Sequence, residues 1–175
     1  MKRVVLASAI AFLLFAACAP PSDPPTDPAA GVASAPSVDT AADEAILREM
    51  HATVLCAHLE NDVDSWLATE AESFVSANRG EIRYADPETR RRMREPYLES
   101  VRFTTYRDLR EPIVEVSDDG TLGWVIVEVE LSGVHTADDG SETPIEGVFA
   151  WIELYRKQDG RWLCVGNVSN ARPAS

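Results

Sequence analysis

Glu128 and Glu130 are the residues of this sequence best placed to do proton chemistry. They sit in Trp124-Val125-Ile126-Val127-Glu128-Val129-Glu130-Leu131, where Val125, Val127, Val129 and Leu131 alternate with Trp124, Ile126, Glu128 and Glu130. A carboxylate among aromatic side chains is less easily charged, and that makes it a usable general acid or base. Tyr97, Tyr106 and Tyr155 are the matching hydrogen-bond donors. The competing reading leaves both glutamates solvated on the open face of a strand, because charged side chains are mostly exposed.

The other chemistry-bearing residues are more dispersed. His51 and His58 are seven residues apart and His135 lies near a hairpin loop. Zinc ligands are usually spaced more closely, so all three read as surface or half-buried histidines and no metal is expected. The chain has no nucleophile elbow, no phosphate-cradling glycine loop and no Cys-x-x-Cys pair, and no cofactor is expected. Arg90, Arg91, Arg92 and Arg94 form a basic run that either grips an anion or is a solvated helix face. The acids that would neutralise it are at hand: residues 79–110 hold nine Arg against six Asp+Glu, and residues 111–159 hold twelve acids against Arg156 and Lys157.

One domain must position these groups. The chain has 175 residues, 16 Lys+Arg against 29 Asp+Glu, a formal net charge of -13 and 45% hydrophobic residues. That is enough apolar material for one core, and too negative for a protein that binds phosphate backbones, so nucleic acid is excluded as a partner. Residues 1–17 read as a signal peptide, with Lys2 and Arg3 ahead of an apolar run to Ala17. Leu14-Phe15-Ala16-Ala17-Cys18 resembles a bacterial lipobox, with Phe15 where Leu is usual, and this implies lipidation at Cys18. An ordinary secretory signal and an uncleaved anchor are the alternatives, and the run is short for a spanning helix. Residues 18–38 form a tether: six of the eleven prolines fall between positions 19 and 40, with no aromatic residue. The expected location is the periplasmic face of the cell envelope, on the outer membrane in preference to the inner, with a secreted soluble protein as the alternative.

The folded part spans residues 39–170, and 171–175 are a tail. Three helices are expected: one capped at Asp39 or Thr40, a short one from Asp62, and one from Asp86-Pro87-Glu88 that Pro96 ends or kinks near Glu95. From Ser100 the period changes to two. Val101 to Leu109, Ile113 to Ser117, Thr121 to Val134, Ile145 to Lys157 and Trp162 to Ser169 read as strands, with Asp-Gly turns at residues 117–120, 138–140 and 158–160. The class is α+β, three helices followed by an antiparallel meander.

Trp151-Ile152-Glu153-Leu154-Tyr155-Arg156-Lys157-Gln158-Asp159-Gly160-Arg161-Trp162, leading to Asn167-Val168-Ser169, resembles the SnoaL-like branch of the nuclear transport factor 2-like superfamily. The resemblance covers about Asp39 to Asn170. It implies a cone, with helices closing over a strongly bent sheet around an apolar pocket, for which Trp66, Tyr97, Tyr106, Trp124, Trp151 and Tyr155 are the candidate lining. Relatives include isomerases, dehydratases, cyclases and non-catalytic binders, so the expected activity is binding of a small apolar molecule or a protein partner. The alternative is a cofactor-independent isomerase or dehydratase. Ketosteroid isomerase relatives use a carboxylate and a tyrosine, but no segment here matches their motif and no catalytic assignment carries over. In Ile145 to Lys157 both faces are apolar, which predicts cover on the far side by a second copy in a homodimer, or by a terminal segment. Relatives tend to bury the Trp162 position, which Cys164 shares a face with. Cys56 and Cys164 are therefore either a disulfide between helix and strand or two free thiols.

Overall fold

Helix α1 (Ala41–Glu60) is built around one stripe. Leu47, His51, Val54 and His58 follow one another at spacings of four and three, share one side, and are all buried. The computed structural model describes residues 40–172. At the far end of α1, Asn61 takes a left-handed conformation with φ 57°, which Asn tolerates better than most residues, and stops the helix. Helix α2 (Val63–Ala68) begins at once, with Asp62 Oδ1 accepting from the Ser65 backbone N–H at 3.0 Å.

A β-hairpin follows where the sequence suggested none. Strands β1 (Glu70–Asn78) and β2 (Glu81–Ala85) are joined by the two residues Arg79 and Gly80, both at positive φ (53° and 78°). That turn matches the twist of an antiparallel pair. Helix α3 (Pro87–Ser100) then starts at the expected cap, Asp86 Oδ1 accepting from Thr89 N–H at 2.8 Å, but Pro96 does not end it. Proline removes one helical hydrogen bond, and here the turns on either side are tied down. Arg90 donates to the backbone carbonyls of Ala71 (2.7 Å) and Ala85 (3.0 Å), and Leu98 is fully buried.

The remaining strands are β3 (Val101–Asp108), β4 (Ile113–Val116), β5 (Leu122–Thr136), β6 (Glu142–Gln158) and β7 (Arg161–Ala171), within a few residues of expectation. The sheet order is β2-β1-β7-β6-β5-β3, and β4 pairs with the start of β5 beyond the end of β3. All pairs are antiparallel except β1 with β7. The expected pure meander is therefore corrected. The N-terminal hairpin supplies two further strands and one parallel pair, because β1 enters beside the last strand of the chain. The class is α+β, with helices packed on a curved, mostly antiparallel sheet.

The core lies between α1 and the inner face of the sheet. Val125, Val127 and Val129 of β5 meet Leu47, Phe74, Tyr155, Trp162 and Cys164. Gly123 lets α1 approach: a Cβ there would stand 2.6 Å from Leu47 Cδ1. Asp43 fastens the start of α1 to the other end of the sheet, accepting from Trp162 Nε1 at 2.8 Å and Lys157 Nζ at 2.7 Å.

Candidate functional site

Two of the three breaks in strand register, the third lying in β1 between Glu70 and Val75, decide which polar groups face the site. Between Phe103 and Thr105 the pairing of β3 with β5 shifts, so Phe103 is buried and Tyr106 also turns inward, with its ring 4.9 Å from Phe103. Two residues on, Asp108 points the same way and reaches α1. A second shift, where β7 pairs with Leu154 and Tyr155 of β6, leaves Val165 extra. Trp162 and Cys164 precede it on the inner side; after it, Asn167 and Ser169 line the interior and Val168 faces out. Strict alternation would have reversed both sets.

The inward groups meet in a buried network. His51 Nε2 lies 3.1 Å from Asp108 Oδ1, and His51 Nδ1 lies 3.3 Å from Glu153 Oε2, at an angle that makes the second contact Coulombic and not a hydrogen bond. Glu153 also accepts from its neighbours on β6, Trp151 Nε1 at 3.0 Å on Oε1 and Tyr155 Oη at 2.8 Å on Oε2. Burial of His51 works against its charge, but Glu153 and Asp108 together overcome this and hold its pKa above the ordinary value.

Glu153 forms part of the wall of a cavity of about 290 Å³. The wall is largely aromatic. His58 stacks on Tyr106 at 4.3 Å between centroids and leans on Trp66 at 4.2 Å. Its Nδ1 lies 2.7 Å from the Val54 carbonyl oxygen, which can only accept, so Nδ1 carries the hydrogen. Burial pushes its pKa down to about 4, so at neutral pH the ring is uncharged and Nε2 is an acceptor. Burial also raises the pKa of Tyr97 and Tyr106, which stay protonated as donors. Among the described residues, the hydroxyls of Tyr97, Tyr106 and Ser169 and the amides of Asn78 and Asn167 have no hydrogen-bond partner, although all five residues line the cavity.

Of the expected pocket residues, Trp66, Tyr97, Tyr106, Trp151 and Tyr155 line this cavity. Trp124 does not, because the inward course of Val125, Val127 and Val129 puts it on the outer face of β5. Glu128 and Glu130 lie on that outer face too. Glu128 pairs with Arg172 at 2.7 Å and with Arg110, and Glu130 with Arg107 at 2.6 Å, so neither is brought to the tyrosines. The acid that is brought there, Glu153, had a legible signal: it shares the alternation of Trp151 and Tyr155. His51 and His58 are buried, contrary to the surface or half-buried places expected of them, because both belong to the α1 stripe. Cys56 and Cys164 are free thiols, Cys56 exposed on α1 and Cys164 buried in the cavity wall, so the helix-to-strand bridge is not formed. The arginine run is split by helical geometry. Arg90 and Arg94 turn in to Glu70, Arg91 pairs with Asp64, and Arg92 donates to Thr89 Oγ1. No group of three or more His, Cys, Asp or Glu among the described residues could hold a metal ion. Cys18 and the tether lie outside the described residues.

No protein-family model matches the chain, and no curated protein matches its sequence. Solved structures do match. An NTF2-like protein from Cytophaga hutchinsonii superposes with a TM-score of 0.58 at 16% identity, over 73% of this chain and 97% of that one. The fold is that of the NTF2-like proteins. A second NTF2-like protein, of unknown function, from Pseudomonas putida gives a TM-score of 0.59 at 16% identity over 75% of this chain and 87% of its own. A ketosteroid isomerase-like protein from Erwinia carotovora atroseptica gives 0.56 at 19% identity over 75% and 98%. Identities this low establish the NTF2-like fold and leave the chemistry to the residues of the cavity.

Proposed function

We propose that the cavity binds a small, flat, largely apolar molecule and that Glu153 moves a proton on it. The observation that carries this is the carboxylate of Glu153 in the cavity wall, oriented by Trp151 and Tyr155 and backed by His51 and Asp108. The fitting reaction is abstraction of a proton from a carbon next to a carbonyl. Glu153 takes the proton, the C–H electron pair becomes a carbon–carbon π bond, the carbonyl π pair moves onto the oxygen, and a Tyr97 or Tyr106 hydroxyl donates a hydrogen bond to that oxygen. Where the substrate carries a neighbouring carbon–carbon double bond, return of the proton at its far carbon is isomerisation; where the next carbon carries a hydroxyl, protonated Glu153 passes the proton to it and water leaves, which is dehydration. The resemblance to a ketosteroid isomerase-like structure agrees with this class.

The test is deuterium uptake at the acidic carbon of a panel of cyclic ketones in D2O, followed by NMR. Uptake with the native protein and none with Glu153→Gln is the expected result. Retained uptake in the variant removes Glu153 as the base. A second reading, binding without turnover, is favoured by one observation: both Glu153 oxygens already accept hydrogen bonds. Ligands that bind without any exchange would establish it.

The setting proposed for this activity is the cell envelope. Cys18 would carry the lipid and residues 18–38 would hold the domain off the membrane, as the charge and proline pattern of the N-terminus supports.

A further inference from the structure

The aromatic cavity shares one wall with a second space. Trp66, Phe74, Asn78, Arg94, Asn167 and Ser169 also line a second groove, of about 510 Å³, between the β1–β2 hairpin and α3. The two spaces therefore share a partition of side chains, three of which, Asn78, Asn167 and Ser169, are polar with no hydrogen-bond partner among the described residues.

The groove is electrostatically unlike the rest of the chain. The whole protein carries 29 acids against 16 bases, yet the groove wall holds Arg79, Arg83, Arg90 and Arg94 with a single carboxylate, Glu81. Behind it stands Glu70, whose Oε2 lies 2.7 Å from Arg94 Nη1 and 3.1 Å from Arg90 Nε, so one acid serves two guanidinium groups. Glu81 neutralises Arg83 at 2.6 Å. Arg79, at the tip of the hairpin, has no ion-pair partner among the described residues. Counting Glu70, Glu81 and Asp86, whose charge also acts on Arg90, the four guanidinium groups still leave one positive charge in excess beside the cavity. Arg94 marks the junction, stacked over Trp66 at 3.9 Å.

We infer that the ligand is an amphipathic anion, with a flat apolar body in the aromatic cavity and a carboxylate reaching the arginines of the groove. The inference rests on the cavity's being a ligand site, and deepens that reading by fixing the ligand's charge and the end at which it sits. Guanidinium groups suit a carboxylate because their planar donors match its two oxygens. The neutral polar residues of the partition take the connecting atoms without opposing the charge.

The experiment compares two probes with the same ring system, 2-naphthaleneacetate and the uncharged 2-(2-naphthyl)ethanol, by quenching of tryptophan fluorescence in the purified protein. Trp66 and Trp151 stand in the cavity and report on both. The carboxylate is expected to bind at least about tenfold more tightly at low salt. Raising KCl narrows the difference, because exposed guanidinium groups are screened. In the double variant Arg79→Asn, Arg83→Gln the preference falls below about threefold; Asn is chosen at position 79 because it tolerates the positive φ of the turn. Equal affinities for the two probes overturn the inference and leave the cavity reading standing. Binding of neither overturns both. A preference unchanged in the double variant overturns the assignment of the anion to this groove.

Discussion

His51, in the middle of α1, holds Nε2 3.1 Å from Oδ1 of Asp108, the last residue of β3. This contact joins helix to sheet at the back of the Glu153 carboxylate, and it makes His51 sensitive to Asp108 from inside the fold. His51 is raised in pKa in the folded state, so its contribution to stability is complete below the unfolded value of about 6.5 and is lost as pH rises through the folded value. Asp108→Asn is expected to lower the His51 pKa in an NMR titration. The same variant should lose about 1–3 kcal/mol of stability near pH 6, and less near pH 9. An equal loss at both pH values would show that Asp108 does not act through the His51 charge.

His58 gives a dependence of the opposite sign. Burial lowers its pKa to about 4, so the neutral ring contributes fully above pH 6.5 and the contribution is lost as pH falls toward 4. The size is up to roughly 3 kcal/mol over that interval. Asp43, Asp86 and Asp119 are lowered from 3.8 and act at still lower pH. Urea midpoints should therefore fall from pH 7 to pH 4.5 in the native protein, whereas in His58→Phe they should not fall and should rise slightly as the His51 contribution becomes complete. Parallel slopes in the two proteins would remove His58 as the cause.

The outer face of the sheet carries Ile126, Leu154 and Val168, each more than a third exposed, on three neighbouring strands. This apolar strip, bordered on β5 by the ion-paired Glu128 and Glu130, fits a second copy of the chain. Light scattering on a soluble form lacking residues 1–38 is expected to give a dimeric mass, and Leu154→Glu a monomeric one. A monomeric mass without the substitution would leave that face uncovered.

Thiol reactivity should divide cleanly. Cys56 is exposed, whereas burial pushes the Cys164 thiol pKa up and it donates to the Gly166 carbonyl at 3.4 Å. A disulfide reagent should titrate one thiol rapidly in the folded mature protein and a second only after denaturation. No reactive thiol in either state would mean the two are bridged.

Lipidation is tested at Cys18. Cys18→Ala is expected to abolish incorporation of labelled fatty acid and to release the protein from the membrane fraction. Labelling that persists in the variant would refute the anchor.

Local chemistry alone determined much of this protein. The Asp86-Pro87 cap, the stripe of α1 and the Asp-Gly turns between β-branched runs each act within a few residues, so they could be read without knowing the fold. The same local rules failed at β1, whose Glu70, Glu72, Ser73 and Ser76 look unlike a strand. Only pairing with β2 and β7 makes it one. They failed at the site for a related reason. Alternation assigns a face only relative to its neighbours, and it was the packing of Val125, Val127 and Val129 against α1 that sent Glu128 and Glu130 outward. The register shifts at Phe103/Thr105 and at Leu154/Tyr155 then reversed the parity of everything beyond them. Asp108, Asn167 and Ser169 reached the interior that way. A bulge depends on how two distant strands meet, so the tertiary structure alone decided which polar groups face the cavity.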